Sequence, residues 1–449
     1  MHSPPKPPRW FRSADRSSRF RLDRASGRLL PPDRDGKPAG ETLVLYASGD
    51  IIWERDLMAF LREGPAEHPF GEVRRLWAGA DLVFAQLETV FGPREGARMW
   101  EPEKRISYLT DPALIPHFVA GGFHLACLAS NHTMDHGLGP IEFTRARLAA
   151  AGIASSGSGA DLAAARQPAL LQARGRTVAL LSYATDDPNS NAGEKTPGNA
   201  PFRRQLVIED VLRARQKADL VLVSVHKGRE FVDFPAPDHQ ADCRAIVDAG
   251  ADVILGHHPH FLQGLEWRRR PDGRQAAIFY SLGSLLVDYE PFLSRAELAL
   301  FRRSQQNNAV FRIELDGQGV AGLQVAPVRQ TADWRVRLET PAEAAQTLAN
   351  FEWCSHPLNH ERPCTKFWVT GGPYLAIQYP SIWMHLKRRP GYLASALRWW
   401  LREETFRLHW GFFFARETPA WVLALRAGSG RLLRLPFQRL RPPAPRRGR

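Results

Sequence analysis

Cysteine is scarce in this sequence. Its 449 residues include four, at Cys127, Cys243, Cys354 and Cys364. Four thiols in a chain this long exclude the disulfide framework that staples small secreted domains. Long apolar runs are also lacking. Nowhere do 18 or more apolar residues follow one another, and the first 40 residues hold no apolar stretch of the signal-peptide kind. The expectation is a chain that neither crosses a membrane nor leaves by a standard route, hence a cytoplasmic one. Repeats of solenoid length are absent too.

Hydrophobic residues at 44% and charged residues at 24% describe an ordinary globular protein. The formal net charge of +13 is less ordinary and unevenly placed. Residues 1–40 hold 10 Lys/Arg against 4 Asp/Glu, and residues 355–449 hold 17 against 4. The middle, 41–354, has 33 basic and 39 acidic residues and is mildly acidic. Residues 1–40, rich in Pro, Arg, Ser and Asp, read as a disordered, solvated tail. Nucleic-acid binding would rest on the charge of the two ends alone and is not expected.

Between the ends, short apolar runs alternate with helical patterns. Strand-like runs occupy 42–49, 80–88, 124–129, 177–183, 220–225, 253–255, 278–280 and 310–314. Helical spacing marks 57–61, 113–120, 139–151, 206–217 and 238–249. This alternation predicts an α/β domain with largely buried sheets over 41–330. Residues 331–449 read as an appendage, mainly helical or irregular, with six of the thirteen tryptophans in 368–421. Within it, 392–410 has helical spacing and reads first as a helix packed on the catalytic domain; the alternative, since 366–440 mixes Trp and Arg, is a peripheral membrane contact. Cys354, His356, His360 and Cys364 place four possible zinc ligands in eleven residues, but their spacing matches no zinc-finger pattern, and Pro357 and Pro363 suit a plain loop.

Five segments carry chemistry: Gly49-Asp50, Gln86-Leu87-Glu88, Ser130-Asn131-His132, Ser224-Val225-His226-Lys227-Gly228 and Gly256-His257-His258-Pro259-His260. Each falls where a strand should end, the place open α/β sheets use for their sites. Taken singly, Asp50 reads as a helix N-cap and Asn131 as a turn residue. Three imidazoles within four residues offer a packed core nothing. Carboxylates, an amide and imidazoles without thiolate suit a pair of divalent ions, Mn, Fe or Zn. His132 could then serve as general acid or as an electrostatic group facing the substrate.

These motifs, with Thr133-Met134-Asp135-His136-Gly137, His226-x-Gly228-x-Glu230 and Tyr280-Ser281-Leu282-Gly283-Ser284, occur in the order of the CapA-like family, which the chain resembles over 42–330. That poly-γ-glutamate capsule-synthesis family is related in fold to calcineurin-like metallophosphoesterases. The resemblance implies a four-layer α/β/β/α sandwich with a dinuclear metal centre between its sheets. It implies Asp50, Glu88, Asn131, His226, His257 and His260 as metal ligands, with His258 competing with His257. His132 would be the catalytic imidazole, Glu230 a carboxylate that either supports a ligand from behind or faces the substrate, and Asp135 and Gly137 would shape the loop. The chain departs from the family pattern at Gln86, Ser130, Lys227 and Ser284, and carries Ile52 where the wider phosphoesterases have a further histidine. The implied function is a metal-dependent hydrolase of a small-molecule or polymer substrate in capsule metabolism. The alternative is a non-catalytic accessory of a membrane-associated polymer-synthesis or export machine.

Overall fold

The computed structural model describes residues 20–360 and Cys364, except 33, 35–38, 67–68, 96, 103, 105 and 289–294. The chain divides into two compact units, Met1–Cys364 and Thr365–Arg449. The second lies outside the described residues, and with it the helix expected over 392–410 and the membrane contact expected over 366–440. No helix among the described residues is long and apolar enough to cross a membrane.

Two β leaves pack face to face. In the first, the parallel strands Leu43–Ile52, Leu82–Leu87, Leu125–Cys127 and Ala154–Ser156 lie side by side. Asn308–Asp316 joins its other edge antiparallel, and Gly319–Gln330 pairs outside that. In the second leaf, Arg176–Ala184, Leu220–His226, Val253–His257 and Gln275–Phe279 run parallel. Antiparallel strands Ala169–Ala173 and Leu265–Arg269 flank them. The leaves are continuous at one end, where Gly319 pairs with Gln275.

Strand residues alternate between faces, and the pleat assigns each set its layer. Leu45, Ala47, Phe84, Leu125 and Cys127 point inward and meet Leu180, Leu222, Leu255 and Phe279 of the opposite leaf in one apolar cluster. Val83, Ala85, Leu87, Ala126 and Leu128 point outward beneath Leu57, Met58, Leu61, Phe118 and Leu148 from the helices Arg55–Glu63, Ile115–Ala120 and Leu138–Ala150. On the far side, helices Arg204–Arg215 and Pro237–Asp248 cover the second leaf with Val207, Val211, Cys243, Ile246 and Val247 buried. The result is the expected α/β/β/α sandwich. Strands covered on both faces need no polar alternation, so Leu220–His226 is buried throughout.

The expected boundaries at 41 and 330 need correction on both sides. Residues 20–40 are not all tail. Leu22–Asp23 and Arg28–Leu29 form a hairpin, and Leu29 and Arg28 pair with Leu323 and Gln324. Phe20 is fully buried against Phe351 and His356. Beyond 330, helix Pro341–Ser355 sends Leu348 and Phe351 into the core between the leaves. Without these aromatic plugs the apolar cluster around Phe311 would face water, so the folded unit must include them. The zinc loop is also corrected. Cys354 and Cys364 are buried, and His356 bonds Glu352 and packs its ring on Phe20. Among the described residues, no three of Cys354, His356, His360 and Cys364 come within 4.8 Å of one another.

Candidate metal centre

Two glycines explain how the leaves bring their strand ends together. A Cβ on Gly49 would lie 2.2 Å from the Gly283 carbonyl oxygen, and one on Gly256 would lie 2.2 Å from that of Tyr280. The Tyr280-Ser281-Leu282-Gly283 backbone thus runs against both strands, tied by Asp50 N–H to Gly283 O (3.0 Å) and Leu282 N–H to Gly256 O (2.9 Å). Only residues without a side chain permit that approach. The residue after each glycine is Asp50 on one leaf and His257 on the other. Their side chains meet, with His257 Nδ1 2.9 Å from Asp50 Oδ1.

Around that contact the donors converge. Asp50 Oδ2 accepts the His258 N–H at 3.1 Å and lies 3.3 Å from His260 Nδ1. Glu88, directly after strand Leu82–Leu87, places Oε1 3.5 Å from His226 Nε2 and 3.9 Å from His260 Nε2. His226 Nε2 also sits 2.8 Å from Asn131 Oδ1. Donor atoms fall into two trios with members within 4.8 Å of one another: Asp50, Glu88 and His260, and Glu88, His226 and His258. Glu88 belongs to both. The turn after Gly256 holds His258 at φ +90° and His260 at φ +56°. Each such backbone costs about 1–3 kcal/mol and persists only where neighbours enforce it. Here Phe231 N–H bonds Pro259 O at 2.9 Å and Lys227 N–H bonds His257 O at 3.1 Å.

Electrostatics mark the same place. Burial pushes the Glu88 carboxyl well up, Asp50 and Glu230 add to the rise, and His260 and Lys104 offset part of it. Asp50 would be raised by burial too, but hydrogen bonds from His257 and His260 hold it well below the usual carboxylate range. Burial opposes charge on His260, yet Glu88 and Asp50 together raise it to about 9. Burial lowers His226 well below the usual imidazole value and His258 to about 3, each aided by neighbouring imidazoles. The residues fit a bound cation on one further observation. Glu88 is 1% exposed and neither of its carboxylate oxygens has a hydrogen-bond donor. An anion left so in a protein interior costs several kcal/mol unless a positive charge meets it.

The Asn131–His132 turn is built as tightly. Ser130 Oγ bonds Glu88 O at 3.0 Å, and Asn199 Nδ2 bonds Ser130 O at 2.7 Å. His132 Nδ1 faces Asp135 Oδ2 at 2.7 Å, and the Tyr108 ring lies over the imidazole with centroids 4.1 Å apart. Burial, then the Lys104 charge, lowers His132 to about 4 against the pull of Asp135.

All six expected ligands therefore meet in one cluster; His132 follows directly on Asn131 and faces Asp135, and the Glu230 charge raises both Glu88 and His260. His258, given as a competitor, falls in a trio, whereas His257 turns Nδ1 to the Asp50 carboxylate. Asp135 does more than shape its loop, since it bonds His132 directly. Lys227 points its ammonium over the Phe202 ring, 4.9 Å from the centroid and 4.0 Å from Asp242 Oδ2. Lys104 and Tyr108 were not anticipated. Both come from an irregular loop whose sequence has no periodicity or motif that would single them out.

Against known proteins, residues 44–289 match the family model for the bacterial capsule synthesis protein PGA_cap. The chain is 27% identical over 314 residues to the PGA biosynthesis protein CapA of Bacillus subtilis (strain 168), covering 69% of this chain and 80% of that one. It is 31% identical over 320 residues to a probable polyglutamine synthesis accessory protein of Mycobacterium tuberculosis, covering 67% and 77%. Among solved structures, a Mycoplasma pneumoniae phosphatase aligns at 13% identity and TM-score 0.40, over 68% of this chain and 97% of that chain. The match across 44–289, which spans every donor of the cluster, makes this chain a member of the PGA_cap bacterial capsule synthesis family.

Proposed function

We propose that this chain is a metal-dependent hydrolase of the phosphoesterase type, acting in capsule or poly-γ-glutamate metabolism on a small-molecule or polymer substrate. The observation that carries the reading is the shared Glu88, buried without a donor between two trios of ligand atoms. Two divalent ions fit that pattern, and Mn, Fe or Zn fits its mixture of oxygen and imidazole donors. Asp50, Glu88 and His260 would hold one ion; Glu88, Asn131, His226 and His258 the other. His257, bonded to Asp50, orients that carboxylate. Bound there, such ions supply Lewis acidity toward a phosphoryl or acyl oxygen and acidify a water.

The remaining work falls to the chain's own side chains. With Nδ1–H directed at Asp135, neutral His132 leaves Nε2 as a proton acceptor, so the base half of acid–base catalysis belongs to it first. Glu230, whose charge helps to raise His260, would be the substrate-facing carboxylate.

The test is metal analysis of the purified full chain beside hydrolysis of bis-p-nitrophenyl phosphate and a set of phosphomonoesters and peptides. Two ions per chain and Mn-supported turnover are expected. Asp50→Asn and His260→Ala should each lower kcat by more than about 100-fold, the loss that outer-shell partners alone can reach. A chain that binds metal yet turns over no substrate would favour the accessory reading. That reading also calls for a membrane contact by 366–440, and flotation with anionic vesicles tests it.

A further inference from the structure

The loop between strand Leu82–Leu87 and helix Ile115–Ala120 reaches across the Asn131–His132 turn. Trp100 N–H bonds Asp135 O at 2.8 Å, and Tyr108 N–H bonds Asp135 Oδ2 at 2.7 Å. The Lys104 ammonium bonds both the Asn131 carbonyl oxygen and Asp135 Oδ1. Asp135 is thereby held at both oxygens: Oδ2 by His132 and Tyr108, and Oδ1 by Lys104. The Lys104 side chain is 24% exposed, against none for Asp135. Lysine is a flexible, strongly hydrated cation, and fixing its head beside a buried carboxylate gives up rotamer entropy and hydration.

We propose that Lys104 is a positioning residue for the centre, an inference that rests on the hydrolase reading above. By tying Asn131 O to Asp135 Oδ1 it fixes the carboxylate rotation that keeps His132 Nδ1–H in its bond. The same clasp sets the backbone from which Asn131 offers its amide oxygen. Two hydrogen bonds from one ammonium join the metal-facing residue and the orienter of the imidazole. Without the clasp, the Asp135 carboxylate is held at Oδ2 alone, its plane can rock about that oxygen, and the ring keeps its Nδ1–H tautomer less firmly against exchange for the Nε2–H form. The imidazole nitrogen facing the reaction would then be an acceptor for a smaller share of the time. Outer-shell residues of this kind commonly govern activity by about 10–100-fold.

The experiment compares the full-length protein with Lys104→Met and Lys104→Arg in two arms. In the metal-free protein, 15N-histidine NMR, with His132 assigned by His132→Gln, reads the ring tautomer. Wild type and Lys104→Arg should show one protonated nitrogen, and Lys104→Met should move both ring nitrogens toward the average of the two tautomers. In the Mn-loaded protein, Lys104→Met should lower kcat on bis-p-nitrophenyl phosphate by about 10–100-fold with KM changed less than about threefold, and Lys104→Arg should recover most of the loss. Unaltered 15N shifts in a folded Lys104→Met chain would overturn the proposal, as would a kcat loss that arginine does not repair. If the wild type turns over no substrate, the hydrolase reading fails, and the NMR arm still decides the role of Lys104.

Discussion

Glu88 shows what a single residue can disclose. Its carboxyl is pushed well above the ordinary glutamate value, first by burial and then by Asp50 and Glu230. A carboxyl raised on folding binds protons that the unfolded chain has released. The metal-free protein is therefore destabilised as pH rises from about 4.5 toward the folded value. Glu88→Gln removes that titration and the bridging ligand together. In EDTA at pH 8 it should melt at least about 2 °C above wild type, the shift of about 1 kcal/mol in a domain of this size. With Mn present the order reverses, because only wild type gains from binding. Thermal melts of both proteins from pH 5 to 8, with and without Mn, check both signs. A metal-free variant less stable than wild type at pH 8 would remove the argument for an uncompensated carboxylate.

The elements divide into those the sequence announces and those it hides. Asp50, Glu88, His226 and His257 were legible as strand-end residues because Leu43–Ile52, Leu82–Leu87, Leu220–His226 and Val253–His257 are buried on both faces and read as apolar runs. Strand Ala169–Ala173 was not legible, since an edge strand with Leu170 and Gln172 exposed carries no such run. Helix Pro341–Ser355 lies in the stretch that reads only as an appendage, mainly helical or irregular. Its start is a capping box, in which Thr340 and Glu343 bond each other's backbone, with Pro341 at the first helical position. Thr340→Ala should cost about 1 kcal/mol, read as a lower urea midpoint with unchanged slope. Arg337 first, then the Thr340 backbone, lowers Glu343 to about 2. Stabilisation by that carboxylate is thus present above about pH 4.5 and fades as pH falls toward 2, so Glu343→Gln should matter at pH 7 and not at pH 2.

Over the whole molecule, the two leaves are continuous at a backbone contact that a larger residue would not allow. Gly319 lies at φ +93°, and a Cβ there would sit 2.1 Å from the Gln275 carbonyl oxygen. Gly319→Ala should destabilise the protein by about 2 kcal/mol or more. Gly317→Ala two residues away, where the nearest atom would lie 3.6 Å off, should change stability by less than about 0.5 kcal/mol. Chemical denaturation of the pair tests whether the seam between the leaves is as demanding as its geometry. Equal midpoints for both variants would show that it is not.

The sequence alone determined the kind of fold and the kinds of donor, because burial on both faces and a thiol-free set of carboxylates and imidazoles are local properties. It also bounded the site to five short segments. Tertiary structure alone decided which side chains touch. His258 joined a trio and His257 turned to Asp50 because the crossing of Tyr280–Gly283 against Gly49 and Gly256 sets the two strand ends in register. Lys104 came to the Asn131–His132 turn from a loop with no pattern of its own. Phe20 and Phe351, far apart in the chain, close the core that the apolar runs of 41–330 leave open. Such contacts depend on how surfaces fit in three dimensions, and neither periodicity nor composition encodes that fit.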